Sequence, residues 1–121
     1  TVTANQGTLV TPTASNINSA ATTNAAFIKA SAGTVYNVSV YNSGASTAYV
    51  KLYNQTTAPN LVSAVPVIVI PVPATSTVSQ NLGVVGHRFT TGIAIAITGG
   101  AGDTDTTATA AGQVKVMTSY I

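Results

Sequence analysis

Thr34-Val35-Tyr36-Asn37-Val38-Ser39-Val40-Tyr41, then Asn42-Ser43-Gly44-Ala45-Ser46, then Thr47-Ala48-Tyr49-Val50-Lys51-Leu52-Tyr53 is the stretch on which the fold class turns. Both flanks alternate with period two, which is the side-chain period of a strand. The segment between them has the composition of a turn. Pairing the flanks as a hairpin sets Tyr41 opposite Thr47. It then puts Val40 with Ala48, Val38 with Val50 and Tyr36 with Leu52 on one apolar face. The other face takes Ser39 with Tyr49, Asn37 with Lys51 and Val35 with Tyr53. A half-buried antiparallel sheet needs one apolar face and one mixed face. On the mixed face Tyr41, Tyr49 and Tyr53, together with Lys51, make a candidate interface, because tyrosine buries a large ring while keeping a polar tip. Cover by a further segment of the same chain is the other reading of that face.

Working outward, residues 65–73 (Val-Pro-Val-Ile-Val-Ile-Pro-Val-Pro) are apolar on both faces. Proline cannot donate to a ladder, so Pro66 and Pro71 indicate an edge strand or strand ends. In a two-layer fold only one face of this strand meets the core, so Val65, Val67, Val69 and Pro71 are candidates for contact with another subunit. Residues 76–82 are expected to be a polar-alternating strand containing Val78. Residues 93–97 set isoleucines on one face and alanines on the other. Residues 99–105 are a Gly/Asp loop, and residues 113–121 form a closing strand. Some seven short strands separated by turns predict an all-β, two-sheet antiparallel β-sandwich of Greek-key or jelly-roll type. Residues 1–24 hold few large apolar groups and are expected to be an extended N-terminal arm, with a short strand near residues 8–10 as the alternative; residues 25–121 are the sandwich domain. The Ala-rich run 18–32 contains Thr22-Thr23-Asn24, which disfavours a helix.

The 121 residues fit one domain. Charged residues make up 5%, against roughly 25% in ordinary soluble domains. Four cations, Lys29, Lys51, Arg88 and Lys115, are scattered against Asp103 and Asp105, so no nucleic-acid-binding patch is expected. Little charge means little repulsion between copies, and this favours a life among neighbours in an assembly. No Cys is present, which removes disulfides and thiolate metal sites. No run reaches the ~18 apolar residues of a membrane-spanning helix.

Catalysis is poorly supplied. There is no Glu or Cys, and there is one His. His87 with either Asp and an abundant Ser satisfies a triad only on paper, so no enzyme activity and no cofactor are expected. Asp103 and Asp105 after a Gly-rich turn are weak candidates for calcium, whose ligands are loop oxygens; a Gly/Asp turn bonding its own amides is the favoured reading. A lysine–asparagine isopeptide bond needs a buried acid beside the pair, and both acids sit in one loop. Asn37-Val38-Ser39 and Asn54-Gln55-Thr56 match the N-glycosylation pattern and are read as chance matches.

Residues 33–40, 49–54, the Thr57-Ala58-Pro59 turn, residues 67–73, 91–98 and 103–107 follow one another in an order that resembles small β-sandwich proteins encoded among the structural genes of tailed bacteriophages. The resemblance covers roughly residues 30–121 and rests on packing and turn patterns, so it carries over no functional residue. It implies a virion structural protein: a capsid decoration or cement protein that contacts the major capsid protein and forms a homo-oligomer, without nucleic-acid or membrane contact. The alternative is a fibre, tail or adhesin-like module that recognises a surface glycan.

Overall fold

The structure, a computed structural model, describes residues 11–121. The described residues form nine strands and no helix: β1 (Thr13–Asn18), β2 (Ala26–Lys29), β3 (Gly33–Asn42), β4 (Ala48–Tyr53), β5 (Ile68–Val72), β6 (Ser76–Asn81), β7 (His87–Phe89), β8 (Ile93–Thr98) and β9 (Val114–Tyr120). They build two antiparallel sheets. Sheet A has the order β1-β9-β3-β6, with β7 also on β3; sheet B has the order β2-β8-β4-β5. Val35, Val38 and Val40 of β3, with Val114 and Val116 of β9, close against Val50, Leu52, Ile70, Val72 and the isoleucines of β8 in one core. This is the two-sheet β-sandwich that the alternating pattern implied.

The expected hairpin between residues 34–41 and 47–53 is not there. Both segments are strands, but β3 pairs with β9, β6 and β7, whereas β4 pairs with β5 and β8. The turn between them is a corner that carries the chain from one sheet to the other. Asn42 fixes it. Its side chain is fully buried, and Nδ2 donates to the carbonyls of Ser46 at 2.8 Å, Val72 at 3.0 Å and Pro73 at 3.3 Å. Its Oδ1 accepts from Gly44 N at 2.9 Å and from Gln113 Nε2 at 3.2 Å. One amide thus ties the end of β3 to the end of β5 in the opposite layer. Buried polar groups favour the arrangement that satisfies them, and the corner is what brings the Val72 and Pro73 carbonyls to Asn42.

The faces of β3 also depart from simple alternation. The register against β9 shifts between Val35 and Asn37. Tyr36 is the extra residue of a β-bulge, so Val35 and Val38, three apart, both reach the core.

The boundary expected at residue 24 is not where the sheet begins. β1 pairs with β9 over six residues, from Thr13–Tyr120 to Asn18–Lys115, and Ile17 packs on the core. Residues 13–18 are therefore a strand of sheet A rather than part of an arm. Residues 1–10 lie outside the described residues, and so does the alternative strand at 8–10.

β6 and β7 run along the same neighbour. Residues 76–81 pair with Asn42 to Asn37, and residues 87–89 continue with Val35 to Gly33. They are one edge interrupted by five residues. Leu82 N still donates to Tyr36 O at 2.9 Å, and Gly83 and Gly86 then take φ of 86° and 75°, where a glycine carries no steric cost. Gly86 has no room for a side chain either: an added Cβ would lie 2.6 Å from Thr34 Cγ2 and 2.8 Å from Val35 O. The chain between the glycines is pushed outward, leaving Val84 98% and Val85 88% exposed.

Candidate interaction surfaces

The outer face of sheet B is roofed by the chain itself. Residues 60–64 form a turn in which Asn60 O accepts from Ser63 N and Ala64 N. That turn lowers Leu61 and Ala64 onto Tyr53, Ala94 and Ala96 as a small second core. The alanine face of β8 is therefore buried, not open. Beside it, residues 99–107 fold over Lys51. Asp105 N donates to Gly102 O at 3.0 Å and Gly99 N to Thr107 O at 2.9 Å. Asp105 Oδ1 accepts from Thr107 N at 2.9 Å.

Lys51 is fully buried under this loop, and its Nζ donates to Gly102 O at 2.6 Å. Burial pushes its pKa down, against the opposing pull of Asp105 and Asp103. Tyr53, two residues on, is 1% exposed. Its hydroxyl has no partner among the described residues, and its pKa is raised by burial and then by Asp103. Asp105 is held below the usual carboxylate range, first by the Thr107 backbone N–H. The two aspartates proposed for calcium thus sit in a loop whose turn is closed by its own amides. The cation nearest them is the Lys51 ammonium. Among the described residues no three of His, Cys, Asp and Glu come together.

The tyrosine–lysine cluster does not form one surface. Tyr41 lies in β3 on sheet A, opposite Lys115 and Thr77, and is 51% exposed. Tyr49 is half-buried on sheet B beside Pro71 and Thr98. Lys51 and Tyr53 are under the roof. The cluster assumed a hairpin, and with the two strands in separate layers its members part.

The β5 residues are where the edge argument put them. β5 ends sheet B. Ile68, Ile70 and Val72 turn to the core, and Val65, Val67, Val69 and Pro71 are exposed in alternation. Val62 in the preceding turn adds to this row. Sequence reasoning missed two further features of the same side. One is the Val84–Val85 tip. The other is a signal that was in plain sight: the 36 residues between Lys51 and Arg88 contain no Asp, Glu, Lys or Arg.

Among the described residues, the outer face of sheet A carries no such roof. Two shallow grooves of about 180 and 140 Å³ flank Met117, one lined by Ala14, Asn37 and Ser119, the other by Tyr41, Thr77 and Lys115. Asn37, Ser39 and Ser79 bond one another across β3 and β6. Asn37 is thereby engaged, and Asn54 holds Thr90, Thr91 and Gly92, so both asparagines of the two N-glycosylation matches have structural partners. His87 stands in β7 of sheet A, 5.0 Å from the Phe89 ring. It and the aspartates over sheet B lie on opposite layers, and the paper triad is not assembled. Comparison with family models, with curated proteins and with solved structures gives no match for this chain.

Proposed function

We propose that this chain is a virion structural protein, a capsid decoration or cement protein that stabilises a particle through protein–protein contact and does no catalysis. The observation that carries this reading is the exposed apolar row Val65, Val67, Val69 and Pro71 on the edge strand β5. Exposed apolar rows on a well-formed sandwich mark contact surfaces, and this one lies in a stretch without a single charge. Docking the row on a capsid subunit removes apolar surface from water, which drives association, and no ion needs to be desolvated.

The strand order supports a jelly-roll topology within the sandwich. Set β7 aside as a continuation of β6, and eight strands remain in two four-stranded sheets, first-eighth-third-sixth and second-seventh-fourth-fifth. Jelly rolls serve viral capsids and lectins alike, so this support is an analogy of fold and not of site.

The test uses particles with and without the protein. Loss of the protein lowers the temperature of genome release, and adding it back restores it. Val67→Asp with Val69→Asp abolishes binding to particles while the isolated chain melts as before. Particles whose heat stability ignores the protein sink the cementing role. The grooves beside Met117 favour a second reading, a module that binds a surface glycan. Each is smaller than the roughly 300 Å³ of an ordinary small-molecule pocket, so any such ligand would lie flat on sheet A. A glycan array without hits disposes of this reading.

A further inference from the structure

We propose that β6 is the edge at which a second copy of this chain adds, antiparallel and about a two-fold axis, so that sheet A runs on through both protomers. This goes beyond contact with a particle and uses a different strand from the β5 row.

Among the described residues the two sheets leave four edges, at β1, β2, β5 and the β6–β7 line. Edges are normally guarded by proline, charge, bulges or brevity. β5 is guarded by Pro71 within it and by Pro66 and Pro73 beside it. β2 has four residues, a register shift and Lys29. β1 follows Pro12 and exposes no large apolar side chain. β6 has six residues, Ser-Thr-Val-Ser-Gln-Asn, with no proline, charge or bulge among them.

Its backbone polarity can be read from its neighbour. Ser43 N donates to Gln113 O on the β9 side of β3, and Tyr36 O accepts from Leu82 N on the β6 side. Backbone groups alternate along a strand, so Val38, Val40 and Asn42 address β6, and they pair with Gln80, Val78 and Ser76. Thr77, Ser79 and Asn81 then turn their N–H and C=O groups to the open edge. A second β6 running the other way satisfies them, which is strand addition between identical edges.

The surroundings favour a copy of the same chain. The edge lies within the uncharged residues 52–87, so two copies bring no like charges together. The chain leaving β6 carries the exposed Val84–Val85 tip, which stands at the end of the same edge. That tip sets exposed apolar surface beside the edge, which favours contact over solvent.

Sedimentation over the micromolar range, read with amide exchange, tests the proposal on the full chain. The expected result is a monomer–dimer equilibrium in which the amides of Thr77, Ser79 and Asn81 slow at least tenfold as concentration rises. Ser79→Lys places a charge on the exposed edge. It raises the dissociation constant tenfold or more and abolishes the slowing. Asn16→Lys on β1 leaves the dimer intact. Should Ser79→Lys perturb folding, Val84→Asp with Val85→Asp gives a second reading of the same side and weakens the dimer. A chain that stays monomeric throughout, a dimer indifferent to Ser79→Lys and to the valine variants, or one broken by Asn16→Lys overturns the proposal.

Discussion

The two outer faces of this sandwich began from similar alternating strands and ended as opposites. On sheet A, Tyr41, Lys115 and Met117 stand in the open. On sheet B, the corresponding row of Lys51, Tyr53, Ala94 and Ala96 is sealed beneath residues 60–64 and 99–107. What separates them is the length of the connections. The chain takes fourteen residues from β4 to β5 and fifteen from β8 to β9, enough to fold back over the sheet; no connection reaches over sheet A in this way. A lysine and a tyrosine therefore mean different things on the two faces, and composition alone does not distinguish them.

The largest test of the contrast is truncation. Tyr53→Ala removes a buried ring from the second core and is expected to cost about 3–5 kcal/mol, whereas Tyr41→Ala on the open face stays within about 0.5 kcal/mol. Equal losses in denaturant titration would mean that the roof over sheet B contributes nothing. A smaller effect of opposite sign is expected at Lys51. Lys51→Met keeps the aliphatic stem and removes an ammonium that burial disfavours. Gly102 O retains the Asp105 N–H, and stability should rise by about 1–2 kcal/mol; Lys115→Met on sheet A should leave it unchanged. Tyr53→Phe deletes a buried hydroxyl without a partner and should gain about 1 kcal/mol.

The smallest effect is in pH. Lys51 has a folded pKa below its ordinary 10.5, so between the two values the unfolded chain binds more protons and stability rises with pH. Tyr53 has a folded pKa above its ordinary 10.0. Its contribution is complete below pH 10 and is lost as pH climbs through the folded value. Chemical denaturation across alkaline pH should show the rise and then the fall. Lys51→Met should remove the first and Tyr53→Phe the second.

The strands of this fold were legible because period two survives in short segments: β3, β4, β5, β6, β8 and β9 all read correctly. The edge position of β5 was legible for a physical reason, since proline has no N–H to give. Pairing was not. Asn-Ser-Gly-Ala-Ser suits a hairpin and a sheet-to-sheet corner equally, and the choice rests on Asn42 finding carbonyls some thirty residues away. β1 was missed because most of its side chains are small and polar, and β2 because four residues are too few to show a period; they are strands by virtue of β9 and β8 beside them. Of the candidate surfaces, the β5 row is where it was expected. The tyrosine cluster is not, because its geometry was inherited from the hairpin.

The prolines around β5 have a consequence in time as well as in space. Among the described strands, β4 and β5 are the only consecutive ones that pair with each other. β3 must wait for β6, and β1 for β9 near the far end of the chain. Loop closure over such distances makes folding slow, on the order of milliseconds to seconds. During that interval an early β4–β5 ribbon would lie open along both sides and could recruit other chains. Pro66, Pro71 and Pro73 block one of those sides from the outset, so the chain is protected from its own synthesis onward on the edge that is exposed the longest.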